Sequence, residues 1–308
     1  MMQIAFLIGA TETIVDGNYC RFANELLRHG HRVALVEMET LALTRSRVTA
    51  LGTWLDHACQ PSAPLVFPDR MQLAEFDVIW VMSLGMRHSF LDKIQLLFAA
   101  SRDTVICNSL DAIMHFKSKY FAATHPDIFQ HPDTWASSNP AELLSIMQAH
   151  GGRWIVKPPA SSFGRDVYLL TAEDANVRVI LASLCGPDED RFCLLQRYVE
   201  EIGQGEKRVL LAGGEPVGQY RRHALLDHRT NVQQGARTEP CELTPGEQEY
   251  CRRIGQTLLA HGAEFVGIDL VFPWVLEFNV INPGGLLTIL ELTGKDLTGA
   301  IIERMPFT

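Results

Sequence analysis

Residues 275–285 read VLEFNVINPGG, and they follow VGIDLVF at 266–272 with only Pro273 and Trp274 between. Both stretches have the apolar, β-branched and aromatic texture of buried strands, yet an acid stands in each. Side chains on a strand alternate between faces, so Glu277 and Asn279 share one. If the strands pair as a hairpin across Phe272-Pro273-Trp274, Asp269 meets Glu277 or its neighbour. Three oxygen-bearing side chains then converge. Two carboxylates this close need a compensating cation, and an oxygen-only set of Asp, Glu and amide suits Mg2+ or Mn2+, above all when phosphates complete the shell. A single acid on a strand edge is ordinarily a solvated one, but two acids and an amide in this register are not explained that way. Beyond them, Asn282, Gly284 and Gly285 would let backbone amides approach an anionic group.

Upstream of the hairpin, Thr244, Pro245 and Glu247 form a capping-box start and Gly262 a stop, which predicts a helix from Pro245 to His261. KRVLLAGGEPVGQYRRHA (207–224) reads as a hairpin followed by a basic loop, and RFCLLQRYV (191–199) as a strand. Its end, Gln196, Tyr198 and Val199, offers the backbone donor and acceptor and the apolar walls that an adenine ring needs. RWIVKPPASSFGRDVYLL (153–170) places Lys157 at the end of a strand, before a small-residue loop with Ser161, Ser162, Phe163 and Gly164. Such a loop can fold over phosphates that Lys157 holds, although an ordinary hairpin with a surface lysine would read the same way. Six cations, Lys207, Arg208, Arg221, Arg222, Arg229 and Arg237, fall within one short region and suggest an anion site. The interleaved Glu200, Glu201, Glu206, Asp227 and Glu239 speak against a nucleic-acid groove there.

The first hundred residues alternate in kind. MQIAFLIG, RVALVEME, FDVIWVMS and TVICNS are strands, the segment around Tyr19, Phe22, Ala23, Leu26 and Leu27 is a helix ending near Gly30, and FLDKIQLLFAA is another. Residues 1 to about 108 are therefore an open α/β unit. From Asn108 the texture changes to a polar helix around DAIMHFKSKYF, a loop HPDTWASSNP, a helix AELLSIMQAHG and the strand that ends in Lys157. There is neither a G-x-G-x-x-G after the first strand nor a G-x-x-x-x-G-K-[ST], so any nucleotide is held by other means.

Composition bounds the partners. The chain has 308 residues, 47% hydrophobic and 20% charged, with a formal net charge of −9. That length supports two or three units with substantial cores. That charge excludes a general affinity for nucleic acid or anionic membrane and favours a small-molecule ligand. No basic leader precedes the first apolar run and no later run is long enough for a membrane span, so a cytoplasmic protein is expected. Seven cysteines without a C-x-x-C pair fit reduced thiols and no zinc site.

Taken in order, several motifs resemble those of ATP-grasp enzymes, above all bacterial glutathione synthetases and their glutamate-ligase relatives. They are Lys119 on a helix, WIVKP (154–158), the Ser/Gly loop, the Q-x-Y hinge, KRVLL-x-x-GEPV, RTN-x-x-x-GAR (229–237), and VGIDL with LEFNV-x-NPGG. The likeness covers about 108–300 closely. It implies an α/β chain with the ATP-grasp fold. An N-terminal open α/β (pre-ATP-grasp) domain would span 1–108 and an ATP-grasp domain 109–308, with a small lid subdomain at about 118–196 and a catalytic subdomain at about 197–308. It also implies ATP as cofactor, held by Lys119, Lys157, the loop Ser161 to Gly164, and Gln196, Tyr198 and Val199, with a ribose contact near Gln204. Mg2+ or Mn2+ would be held by Asp269, Glu277 and Asn279. Arg208 would face the transferred phosphate, and Arg222, or Arg221 in its place, the reacting carboxylate. Asn282, Gly284 and Gly285 would hold a substrate anion.

The activity so implied is an ATP-dependent carboxylate-amine ligase acting through an acyl phosphate on an amino acid or short peptide, as a homo-oligomer. A small-molecule kinase and a non-catalytic nucleotide-binding protein share the same ATP site, and the intact Asp269, Glu277 and Asn279 set argues against the second. Where glutathione synthetases carry R-x-D-P-P-F and D-G-M-G-G, this chain reads MSLGMRHSF (82–90) and ASSFGRD (160–166), and Gln204 replaces a usual aspartate. A product other than glutathione is therefore expected. Gly85 should make the first segment flexible, with Arg87 and His88 meeting a substrate carboxylate or another anionic group, although plain surface residues would read the same way.

Overall fold

The computed structural model describes residues 1–9, 17–61, 65–159, 166–224 and 236–306. Three sheets carry the chain. The first is built on β1 (Gln3–Ile8), whose side chains are buried from Ile4 onward, as a central strand covered on both faces requires. After α1 (Asn18–Arg28), β2 (Arg32–Glu37) runs parallel to β1. Then come β3 (Ala42–Thr44), β4 (Arg47–Trp54) and β5 (Asp69–Gln72), all antiparallel. β6 (Val78–Val81), α2 (Phe90–Ala100) and β7 (Val105–Cys107) complete the parallel side. The strand order is β3-β4-β2-β1-β6-β7, with β5 on β4.

The antiparallel wing of residues 42–72 was not expected from the sequence. Its longest strand contains Gly52, where an added Cβ would come 2.7 Å from Met71 Sδ and 2.9 Å from Leu35 O, so that glycine answers a close approach of neighbouring strands rather than a turn. A second departure concerns Cys20 and Cys59. Both were expected as free thiols, but they form a disulfide with Cα atoms 5.1 Å apart. The pairing follows from α1 lying against the segment after β4, where the Asn24 side chain bonds both the N–H and the carbonyl of Cys59.

Past β7 come the short helices α3 (Leu110–Phe116) and α4 (Tyr120–Thr124). Lys119, expected on a helix, stands in the break between them, at the N-cap of α4. The second sheet has the order β10-β9-β11-β8 and comprises β8 (Thr134–Ser137), β9 (Trp154–Lys157), β10 (Tyr168–Leu170) and β11 (Cys193–Arg197). α5 (Pro140–His150) and α6 (Val177–Cys185) bury Leu143, Met147 and Leu181 with Trp154 in its core. β8 lies inside the segment expected to be a loop. Its four residues are flanked by Pro132, Asp133, Ser138 and Asn139, and pairing with β11 overrides those turn formers.

The third sheet has the order β14-β13-β12-β15-β16. It contains β12 (Glu206–Ala212), β13 (Glu215–His223), the short β14 (Arg237–Glu239), β15 (Phe265–Val271) and β16 (Trp274–Asn279). α7 (Pro245–Ala260) precedes β15 and has the capping box expected of Thr244 and Glu247, while α8 (Leu286–Thr293) and α9 (Thr298–Ile302) close the chain. One face of this sheet (Val209, Leu211, Val266, Ile268, Leu270) packs under α7 with Ile254 and Leu258. The other face changes character along its length. Leu210, Ala212, Tyr220 and Phe265 join Phe6, Phe22 and Trp80 of the first sheet's layer in one core. Glu206, Arg208, Arg222 and Asp269, on the same face, lie beyond that core.

Asn108 fastens this seam. Its Nδ2 donates to Phe265 O and Val280 O, each at 2.8 Å, and its Oδ1 accepts from the N–H groups of Glu264 at 2.8 Å and Phe265 at 3.0 Å. Every donor and acceptor of that buried amide is used. Asn108→Ala is expected to cost about 3 kcal/mol by leaving buried backbone groups unpaired. Urea unfolding checks it, and a loss below about 1 kcal/mol would contradict the account. Among the described residues no helix is long and apolar enough to cross a membrane.

Candidate active site

The β15–β16 hairpin sets Asp269 opposite Glu277 and Gly267 opposite Asn279, with a bulge after Asp269. Glu277, Asn279 and Asp269 therefore share a face, as strand parity requires. Asn279 Nδ2 lies 3.4 Å from Gly267 O and 3.5 Å from Asp269 Oδ2. On the adjoining strand Arg208 is the register partner of Asp269, and Glu206 that of Arg222. Arg208 grips Asp269 with two hydrogen bonds, Nε to Oδ1 at 2.5 Å and Nη2 to Oδ2 at 3.1 Å. Arg222 Nη2 lies 2.7 Å from Asp269 Oδ1 and also bonds Glu206.

All four side chains are nearly closed to solvent. Burial alone would raise the Asp269 carboxyl, but the Arg208 and Arg222 guanidiniums outweigh it and hold it down at about 2. Burial works against the charge on Arg222 as well, and Asp269 and Glu206 overcome it, raising its pKa. Arg222 Nε is buried with no hydrogen-bond partner among the described residues. A donor left so is costly until an acceptor arrives.

Two lysines come in from other elements. Buried Lys119 donates to Glu277 Oε1 at 2.8 Å. Lys157, the last residue of β9, donates to Gln196 Oε1 at 2.7 Å. Burial first, then the charge of Lys119, pushes the Lys157 ammonium down to about 8, while Glu277, Glu206 and Asp269 pull the other way. Half-buried Lys117 is lowered in the same manner, by burial, then by Arg87 and Lys119. Five cations (Lys117, Lys119, Lys157, Arg208 and Arg222) thus face three carboxylates (Glu206, Asp269 and Glu277). In a chain of net charge −9, this is a local excess of positive charge of the kind that a polyanion requires.

The loop after β16 is fixed from both sides. Asn18 Nδ2 donates to Asn282 Oδ1 at 2.9 Å and to Pro283 O at 3.2 Å, and Arg208 Nη1 to Gly284 O at 3.0 Å. Two glycines admit it. A Cβ on Gly267 would come 2.9 Å from Pro283 Cβ, and one on Gly285, whose φ is +130°, 2.8 Å from Tyr220 Cε1.

Other expectations separate from this cluster. Lys207 is no part of an anion site. Strand parity turns it to the α7 side, where Nζ meets Glu247 Oε2 at 2.7 Å and Glu242 O at 2.9 Å. Arg222 faces the carboxylates, whereas Arg221 points to the opposite face of β13 with Nη1 3.7 Å from Glu239 Oε1. Gln204 is exposed in the 3-10 turn 200–204. Val199 is buried, and half-buried Tyr198 lies under the Arg153 guanidinium, 4.5 Å from its ring centroid. Ser161, Ser162, Phe163, Gly164 and Arg229 lie outside the described residues, and so does most of the loop expected to cover phosphates.

Arg87 and His88 are exposed on a 3-10 turn beyond β6. Gly85, expected to lend flexibility there, instead allows a close approach. A Cβ would lie 1.9 Å from Glu39 Oε1, the atom that accepts the Met86 N–H at 2.6 Å, while Lys93 holds the other oxygen of Glu39, also at 2.6 Å. Lys117, Glu206 and Asn18 were missed. For Glu206 the E-x-R spacing on β12 was a usable signal. For the others contact comes only through the fold.

The family described as prokaryotic glutathione synthetase, ATP-grasp domain, matches residues 118–294. The chain belongs to this family. It is an ATP-grasp ligase, forming carbon–nitrogen bonds at the expense of ATP, and the kinase and non-catalytic readings fall away. A glutathione synthetase of Gloeobacter violaceus is 30% identical over 314 residues, covering 98% of this chain and 96% of its own. Among solved structures, the D-cycloserine synthetase DcsG superposes with a TM-score of 0.69 at 13% identity, covering 98% of this ligase and 99% of DcsG. The ATP-grasp ligase PsnB, complexed with minimal precursor, Mg and ADP, does so with a TM-score of 0.61 at 16% identity, covering 98% and 97%. At such identities these two speak for the fold.

Proposed function

We propose that the ligase transfers the γ-phosphoryl group of ATP to a substrate carboxylate and then joins the acyl group to an amine. The observation that carries this is Arg222, buried between Asp269 and Glu206 with its Nε unpartnered among the described residues, beside an excess of cations. In the first step a carboxylate oxygen attacks the γ-phosphorus and ADP leaves. In the second the amine nitrogen attacks the acyl carbon, phosphate leaves and a proton is lost. Lys119 and Lys157 hold the phosphates, and the strand end at Gln196, Tyr198 and Val199 lies along the adenine. Arg208 and Arg222 donate to the transferred phosphoryl group and then to the oxyanion of the tetrahedral adduct. No covalent bond to the enzyme is needed.

Asp269, Glu277 and Asn279 fit a hard divalent cation. The set is all oxygen, Asp269 stays ionised to about 2, and Asn279 directs its amide nitrogen to Gly267 and Asp269, leaving its carbonyl oxygen for a ligand. Mg2+ bound there would neutralise charge on the triphosphate.

We infer that the product is not glutathione. The support is the segment 82–90, which lacks the arginine and paired prolines of R-x-D-P-P-F and instead presents Arg87 and His88 on a turn pinned by Glu39. The charge of Arg87 is felt by Lys117, which supports a place for it beside the site. With γ-glutamylcysteine, glycine, ATP and Mg2+, phosphate release is expected to stay at background. A screen of other amino acids and dipeptides should find a pair that releases phosphate in proportion to amide, with turnover lost in Arg87→Ala. Efficient glutathione formation would overturn the inference.

A further inference from the structure

Two buried groups, Gln196 and Lys157, and the half-buried His131 join the second sheet to the third. His131 lies in the strap before β8, and the strap grips β16 by both polar groups of Val275. Val275 N–H donates to Gln130 O at 2.8 Å, and His131 Nδ1 donates to Val275 O at 2.7 Å. A carbonyl can only accept, so the ring proton is on Nδ1 and Nε2 carries a lone pair. Burial above all, opposed by the Val275 carbonyl and reinforced by the charges of Lys157 and Lys119, pushes the imidazole down to about 4, so the ring is neutral.

Nε2 meets the Gln196 amide at 2.8 Å, and that amide nitrogen also lies 3.4 Å from Thr134 Oγ1, whose own proton goes to Pro132 O at 2.7 Å. Both neighbours are therefore acceptors. The Gln196 NH2 must face them, and its carbonyl must face Lys157 at 2.7 Å. A flipped amide would put NH2 against an ammonium and leave the His131 and Thr134 acceptors without a donor.

We propose that His131 is a positioning residue of the nucleotide site, fixing the Gln196 amide so that Lys157 is presented to phosphate and tying that lysine to the strand that bears Glu277 and Asn279. The proposal rests on the ATP site argued above. Its effect runs through Lys157, which a role in stability alone would not.

Calorimetry of ATP binding in a double-mutant cycle separates the two. His131→Leu is expected to raise the Kd for ATP about tenfold while kcat at saturating ATP stays within about threefold, as lost ground-state positioning requires. His131→Gln, whose amide offers the same donor and acceptor, should restore Kd to within about threefold of wild type. In a Lys157→Ala background His131→Leu should change Kd by less than about twofold. An equal loss in both backgrounds would overturn the proposal, and so would a failure of His131→Gln to restore binding. Nitrogen NMR of the wild-type ring tests it without a mutant: the proton must be on Nδ1 near neutral pH, and an Nε2–H ring or an imidazolium would sink the idea. No ATP binding in the wild type would instead remove the site on which the proposal rests.

Discussion

Glu277→Gln is expected to lower kcat about a hundredfold or more while leaving the unfolding midpoint near that of wild type. The substitution keeps the shape of the side chain and an oxygen for the Lys119 ammonium, which now lies 2.8 Å away. It removes one of three negative charges from a site where cations are already in excess. Asp269 compensates poorly, because its charge is already offset by the Arg208 and Arg222 guanidiniums that bond it. Glu277 is also the most open of the three, its side chain 35% exposed, so its substitution disturbs the core least. Phosphate release in the presence of both substrates, with a thermal melt alongside, makes the test. A wild-type rate would take Glu277 out of the metal and phosphate chemistry altogether.

Lys157→Ala should weaken ATP binding at least tenfold, since it removes a buried cation and its charge-assisted bonds to phosphate. Lys119→Ala should do likewise. The pH dependence gives an independent sign. With its pKa lowered to about 8, Lys157 is charged below that pH and neutral above it, so ATP affinity should decline as the pH passes upward through about 8. Stability should move oppositely. Between about 8 and the ordinary lysine value near 10.5 the folded chain binds fewer protons than the unfolded one, and folding gains as pH rises across that window. Calorimetry from about pH 7 to 9 reads the first effect. Affinity flat across that range in wild type, or equal for wild type and Lys157→Ala, would remove Lys157 from the phosphates.

What the sequence revealed of this site is what strand parity and local capping can carry. The position of Asp269, Glu277 and Asn279 on one face needed only alternation and a hairpin, and α7 announced both its ends. The partners of those residues are another matter. That Arg222 rather than Arg221 faces Asp269 depends on the register of β12 with β13, and a bulge within that pair means counting alone cannot supply it. Glu206 gains its meaning only once Arg222 is opposite. His131 carries no local signal, because its two contacts are 65 and 144 residues away in sequence. The wing of β3 to β5 and the short β8 were hidden for a related reason. Their strands are defined by neighbours, and their own residues include glycine and turn formers.

The core shared between the first and third sheets has an evolutionary side. Phe6, Phe22 and Trp80 lie in one packed layer with Leu210, Tyr220, Phe265 and Ile301, and Asn108 ties off the backbone where the layers meet. Grafting residues 1–107 from a relative onto this catalytic half would therefore transplant one side of a fitted joint without the other. New specificity in this lineage would come more readily from point changes in the exposed turn at 85–88, which takes no part in that core, than from swapping the front unit whole.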